Sequence, residues 1–185
     1  MSMKQHFELM ATYNQWMNNK VYEAASKLSQ AALAEDRNAF FGSILGTLNH
    51  IVVADTIWLK RFATHPASSK ALGPIAELPA PASLDQVLFE DFGGLHKHRQ
   101  WMDEQILHWI SGLADADLGY ILSYHNIKGV AFNMRLSNLV LHFFNHQTHH
   151  RGQASTLLSQ AGVDVGVTDL LALIPQEESG CSNTH

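Results

Sequence analysis

The sequence predicts an all-α fold, a four-helix bundle with one long crossover, and three observations carry that reading. Four segments keep the three/four apolar spacing of amphipathic helices. A proline-dense stretch separates the second segment from the third, and only one short piece alternates in the manner of strands. Composition agrees, since 46% of the 185 residues are apolar and 16% charged, enough to build one domain around a large core. The expected organisation is a single domain over residues 1–175 and a polar tail over 176–185.

Phe7, Met10, Asn14, Met17, Val21, Ala24 and Leu28 share one face, with Tyr13 and Trp16 beside it, so residues 3–29 read as the first helix. The second covers 42–62 with Ile44, Leu45, Leu48, Ile51, Val52, Ala54, Trp58 and Leu59, and ends before His65 and Pro66. Residues 63–82 hold Pro66, Pro74, Pro79, Pro81 and Gly73, a density that forbids a continuous helix and marks a crossover of the length that often covers a site. Ser83 with Gln86 reads as a capping box that opens a third helix. Leu84, Leu88, Phe92, Leu95, Met102, Ile106, Trp109 and Leu113 carry its stripe, and Gly93-Gly94 marks a kink.

From Ala114 to Met134 the periodicity fails, and GYILSYHNIKGVAF alternates as a short hairpin does. The fourth helix runs over 135–161 with Gly162 as its C-terminal cap, and VDVGVTDLLALIP supplies one further helical turn.

A formal net charge of -5 and no basic run longer than Lys60-Arg61 argue against nucleic acid and anionic membrane as partners. No stretch reaches the roughly 18 apolar residues of a membrane span. The N-terminus MSMKQHFELM lacks the apolar core of a secretion signal, so a cytoplasmic location is expected. Cys181 is alone, which excludes an internal disulfide and any multi-cysteine zinc site.

The chemistry lies in the fourth helix. Leu136, Leu139, Phe143, His146, His150, Gln153 and Leu157 form its buried stripe, so His146 and His150 point inward one turn apart, a spacing that suits two ligands of one metal ion. For a third ligand His50 is the best candidate. It lies mid-helix on an apolar surface with Ile51, Ala54, Ile57 and Trp58, where unpaired ring nitrogens would cost about 1–3 kcal/mol. His142 can replace His150 in an i, i+4 pair. It cannot join both partners, because His142 and His150 are roughly 12 Å apart along the axis. His149 points about 100° away and reads as a rim residue. His96 and His98 flank Lys97 on a polar surface, and His6, His65 and His185 lie near ends or loops. The same spacing is also met by histidines that are merely hydrogen-bonded in a core.

Beyond spacing, LHFFNHQTHHRGQASTLLSQAG closely resembles the signature helix of the DinB (damage-inducible)/YfiT-like family, in which H-x-x-x-H-R-G-Q follows an apolar stretch. LNHIVVADTIWLKRF is similar to that family's second-helix motif, and Tyr13, Trp16 and Asn18 match its first-helix pattern. These matches span most of residues 7–170 in order. The resemblance implies a four-helix bundle and a mononuclear divalent-metal site formed by His50, His146 and His150, with His142 as a neighbour. It also implies homodimers and zinc or nickel as the ion. A small-molecule substrate is implied, in some relatives a low-molecular-weight thiol such as glutathione, mycothiol or bacillithiol.

Three neutral imidazoles leave a coordination position open, the arrangement of a catalytic and not a closed structural site. A thiol bound there would be held as a thiolate nucleophile, and water would become available as hydroxide. The leading expectation is therefore a metal-dependent thiol S-transferase or related small-molecule enzyme. A metal-dependent hydrolase and a non-catalytic, stress-related metal-binding bundle are the alternatives. Iron and manganese also suit three imidazoles.

Gln147 stands where an H-E-x-x-H peptidase needs its glutamate base, which disfavours that class. No Glu-x-x-His spacing supports a di-metal oxidase. No catalytic residue is assigned. Asp55 reads either as an orienting group or as a solvated surface aspartate, and Arg151 either as an anchor for an anionic substrate or as a partner of an acidic residue on another helix. Tyr13 and Trp16 are candidates for the pocket mouth.

Overall fold

Ser2 opens the first helix in the computed structural model, which describes residues 2–126 and 128–176. Its hydroxyl accepts from the Gln5 N–H while the Gln5 side chain accepts from the Ser2 N–H, a reciprocal cap that satisfies two orphan donors. Helix α1 covers Met3–Ala25. It ends four residues before the expected limit, because Ser29 caps a separate short helix, α2, Gln30–Ala34. Helix α3, Ile44–Phe62, begins behind the cap Ser43. The proline-rich crossover contains a single helical turn, α4, Gly73–Ala76, with Pro74 near its start, where no intrahelical N–H is required.

The third long helix departs from its expected start. Helix α5 covers Phe92–Gly112 and is capped by Asp91, whose carboxylate accepts from the Gly94 N–H at 2.6 Å. The Ser83/Gln86 pattern opens no helix; side chains of α3 instead hold backbone groups on either side of it, at residues 76, 78, 84, 88 and 89. Asn49 Oδ1 accepts from Leu88 and Phe89 N–H and its amide donates to the Phe89 carbonyl, while the Lys60 ammonium donates to the carbonyls of Ala76 and Leu78. Gln86 instead accepts from the Ala82 N–H. The segment is thus stapled along α3, and Gly93-Gly94 falls in the first turn of α5, not at a kink.

Strands β1, Ile121–His125, and β2, Ala131–Arg135, pair antiparallel as the alternation predicts. They lead directly into helix α6, Leu136–Gln160. Gly162 adopts φ +79, and the Gly162 and Val163 N–H groups donate to the Ser159 and Leu158 carbonyls, the Schellman end that only a residue tolerant of left-handed φ allows. Leu170–Leu173 form a 3-10 turn. Cys181, His185 and the tail from 177 onward lie outside the described residues.

Among the described residues the protein is mostly helical with one small two-stranded sheet. Helix α1 packs on α5 and α6, and α3 packs on α6 and α5. Phe62, Trp109 and Phe143 meet in the interior, with Phe62 stacked on Trp109 at 4.9 Å. The Trp109 indole donates to Ser68 Oγ at 2.8 Å, which ties the crossover to the core. No described helix is long and apolar enough to cross a membrane.

A candidate metal centre

The packing of α3 on α6 brings His50 to His146 and His150. One ring nitrogen from each lies within 4.8 Å of the others. His50 is buried, and the other two are partly exposed. The tautomers follow from the partners. His50 Nδ1 lies 2.7 Å from the Leu84 carbonyl, which only accepts, so Nδ1 carries the proton. His150 Nδ1 lies 2.7 Å from Gln153 Oε1, and the Gln153 amide nitrogen turns toward His149. Both Nε2 lone pairs then converge, 3.2 Å apart.

Two acceptors facing each other repel unless a cation lies between them. Two ligands about 2.0–2.1 Å from a tetrahedral ion are separated by roughly 3.3 Å, so this donor set fits a divalent metal. Burial pushes the His146 imidazole down to about 3, with His150 and His50 adding repulsion. It lowers His50 and His150 as well. The three rings are therefore neutral near pH 7, the protonation state that ligation requires.

Phe41 closes one side of the cluster. Its ring stacks on His50 at 3.8 Å and 15° and meets His150 edge-on at 5.6 Å. Gly46 permits this, because a Cβ there would lie 2.1 Å from the Phe41 carbonyl oxygen. Neither Phe41 nor the Leu84 carbonyl figures in the sequence reading. Gly46 inside the helical pattern was an available signal, since an interior helical glycine costs stability and is often kept for packing.

On the other side a cavity of about 230 Å³ opens against His50 and His146. His142 lines it, its ring 6.0 Å from that of His146 and 5.0 Å from Trp58, so it is a neighbour of the cluster. His149 is exposed, as expected of a rim residue. His96 and His98 are not on an open polar surface: their rings pack on Tyr22 and Phe89. His65 is buried and accepts from the Ala67 N–H.

Asp55 and Arg151 belong to a different system. Asp55 is 1% exposed and meets the Arg99 guanidinium at 2.5 Å, with Asp103 2.9 Å from the same arginine. Asn18 donates to Asp103, and Arg151 donates to Asn14 and Gln147. Two cations and two carboxyls thus share one interior network. Burial raises the carboxyls of Asp55 and Asp103, and Arg99 pulls both back. Asp55 is therefore not a solvated surface group. Arg151 is buried, and its guanidinium donates to the side chains of Asn14, Gln147 and Thr148, away from the histidine cavity. Gln147, fully buried, serves this network also. Tyr13 donates to the Thr168 carbonyl and Trp16 carries Lys20 over its ring, so neither lines the histidine cavity.

A sequence model of the DinB family matches residues 1–180. The chain is also 24% identical over 157 residues to Protein DinB of Bacillus subtilis (strain 168), covering 85% of this chain and 87% of that one. No solved structure matches significantly.

Proposed function

The chain belongs to the DinB family, and on that premise we propose that it is a divalent-metal-dependent enzyme acting on small molecules, most specifically a thiol-dependent S-transferase. The observation that carries this reading is the pair of converging Nε2 lone pairs, 3.2 Å apart beside a cavity. His50, His146 and His150 would hold the ion. Zinc or nickel suits three imidazoles, as do iron and manganese. When bound, the ion would supply Lewis acidity, stabilising as thiolate a thiol that reaches it.

The chain's own groups have defined parts in this reading. The Leu84 carbonyl and Gln153 fix ring orientation, which sharpens metal affinity. Phe41 covers one face of the cluster, and the cavity opens beside His50 and His146 on another. In the same reading the four long helices form a four-helix bundle that is one domain over residues 1–175, located in the cytoplasm and paired as a homodimer.

The test is turnover of 1-chloro-2,4-dinitrobenzene by metal-loaded protein with glutathione, bacillithiol or mycothiol. Conjugation that disappears in His146→Ala supports the proposal. Full metal occupancy with no reaction for any thiol overturns the transferase and leaves the metal-dependent hydrolase and the non-catalytic metal-binding bundle as the readings.

A further inference from the structure

Arg61 ends the cavity that begins at the histidines. His50, Ala54, Trp58 and Arg61 follow one another along one face of α3, and His142 and His146 face them from α6. The arginine side chain lies back over the Trp58 ring at 4.7 Å and the Tyr124 ring at 4.8 Å. It is half-buried, and among its five donors NH2 reaches the His125 carbonyl at 3.2 Å. Among the described residues no carboxylate comes within ion-pair distance of it. Arg37 and Arg99 have such partners; Arg135 and Arg151 have none either, but neither lines this cavity. Burial lowers the Arg61 guanidinium's pKa, with Tyr124 opposing, as expected of a cation that has lost water without gaining an anion.

The walls between the two ends are mostly apolar, with Ala54, Ile57, Leu84 and Trp58, and Asn126 is the polar residue among them. At about 230 Å³ the space is below the roughly 300–1,000 Å³ of drug-sized sites, so what it encloses is a small organic molecule. The guanidinium sits in the corner between these two rings, which meet at 65°, and its planar fork of N–H donors is the group that matches a carboxylate in a bidentate pair.

We propose that this cavity binds a small organic carboxylate, its acid group on the edge of Arg61, its apolar body along Trp58, and its far end at the histidine cluster. Arg61 is thus the specificity-determining residue for the second reactant. This rests on the proposed function only for what happens at the histidine end; the anion site itself stands on Arg61 and the cavity.

The experiment is calorimetric titration of the full-length protein with 3-phenylpropionate and with its uncharged amide, each with and without one equivalent of zinc. The expected result is a preference for the acid of about tenfold or more, the size of one charge-assisted hydrogen bond, whether or not zinc is present. Arg61→Gln keeps a donor for the His125 carbonyl and should abolish the preference, while Arg61→Lys restores part of it. Melting temperatures confirm that both variants fold, and the Arg61→Gln variant should take up zinc as the wild type does.

An acid preference that survives in Arg61→Gln overturns the proposal. So does a preference seen only with zinc, which would put the anion on the metal, and so does the absence of binding by either compound at millimolar concentration. Should the protein take no zinc yet keep an Arg61-dependent preference, the metal reading fails and the anion site stands.

Discussion

The Nε2 atoms of His50 and His150 face each other at 3.2 Å, each presented by a hydrogen bond on the opposite side of its ring, to the Leu84 carbonyl and to Gln153. Gln153 can be changed without touching a ligand. Gln153→Leu removes the acceptor that holds the His150 tautomer, and zinc affinity should fall about 10–100-fold. Competition with a chromophoric chelator measures this. Gln153→Glu, which keeps an acceptor, should stay within a fewfold of wild type.

Gly46 is the position where α3 meets the Phe41 carbonyl, with no room for a Cβ. Gly46→Ala should displace the 36–43 loop and lower stability by about 1–3 kcal/mol, the usual range for overpacking. The His50 ring protons, now shielded by the stacked Phe41, should move downfield in the proton spectrum. Unchanged shifts would mean that the stacking is not what Gly46 permits.

Removing one member of the interior ion network should be more severe than removing a metal ligand from the metal-free protein. Arg99→Met leaves Asp55 and Asp103, each 1% exposed, without their shared cation, and the loss should be about 3–5 kcal/mol by urea unfolding. The folded fraction should still bind zinc with wild-type stoichiometry, because no member of that network lies in the histidine cluster.

The histidines give the metal-free protein a characteristic acid response. For His146 the folded pKa, about 3, lies below the ordinary value of 6.5, so between those values the unfolded chain holds a proton that the folded one does not. Stability therefore falls as pH drops from about 6.5 toward 3 and is unaffected by this group above 6.5. The buried carboxyls oppose that slope, so the informative quantity is the difference between wild type and His146→Leu. The leucine variant should lose less stability than wild type over that window in chelator-treated protein. Identical slopes would show that the ring is not held neutral by its surroundings.

The helices were legible where side chains alone determine them. Stripes such as Phe143, His146 and His150 record burial directly, and the histidine on the apolar face of α3 stands out because an unpaired imidazole is unfavourable there. The start of α5 was not legible, since Ser83 and Gln86 carry a helix-start pattern locally while Asn49 and Lys60, distant in sequence, claim the backbone that a helix would need.

The same limit applies around the site. Ligand-bearing positions follow from spacing on one helix, whereas groups that orient and enclose them come from elsewhere, a main-chain oxygen at Leu84 and the Phe41 ring, and the setting of Arg61 depends on Tyr124 and His125 of the hairpin. Asp55 and Arg151 were ambiguous because two charged residues on different helices reveal their pairing only once α1, α3, α5 and α6 are packed.

The central claim is that His50, His146 and His150 hold one divalent ion, and the most direct measurement is metal per chain by mass spectrometry. The protein is purified without chelator or metal-affinity resin, incubated with zinc and then with nickel, and desalted. About one ion per chain in the wild type, falling toward zero in each of His50→Ala, His146→Ala and His150→Ala, is the predicted result. A wild type that retains no metal after both incubations, or three variants that retain as much as the wild type, would contradict it.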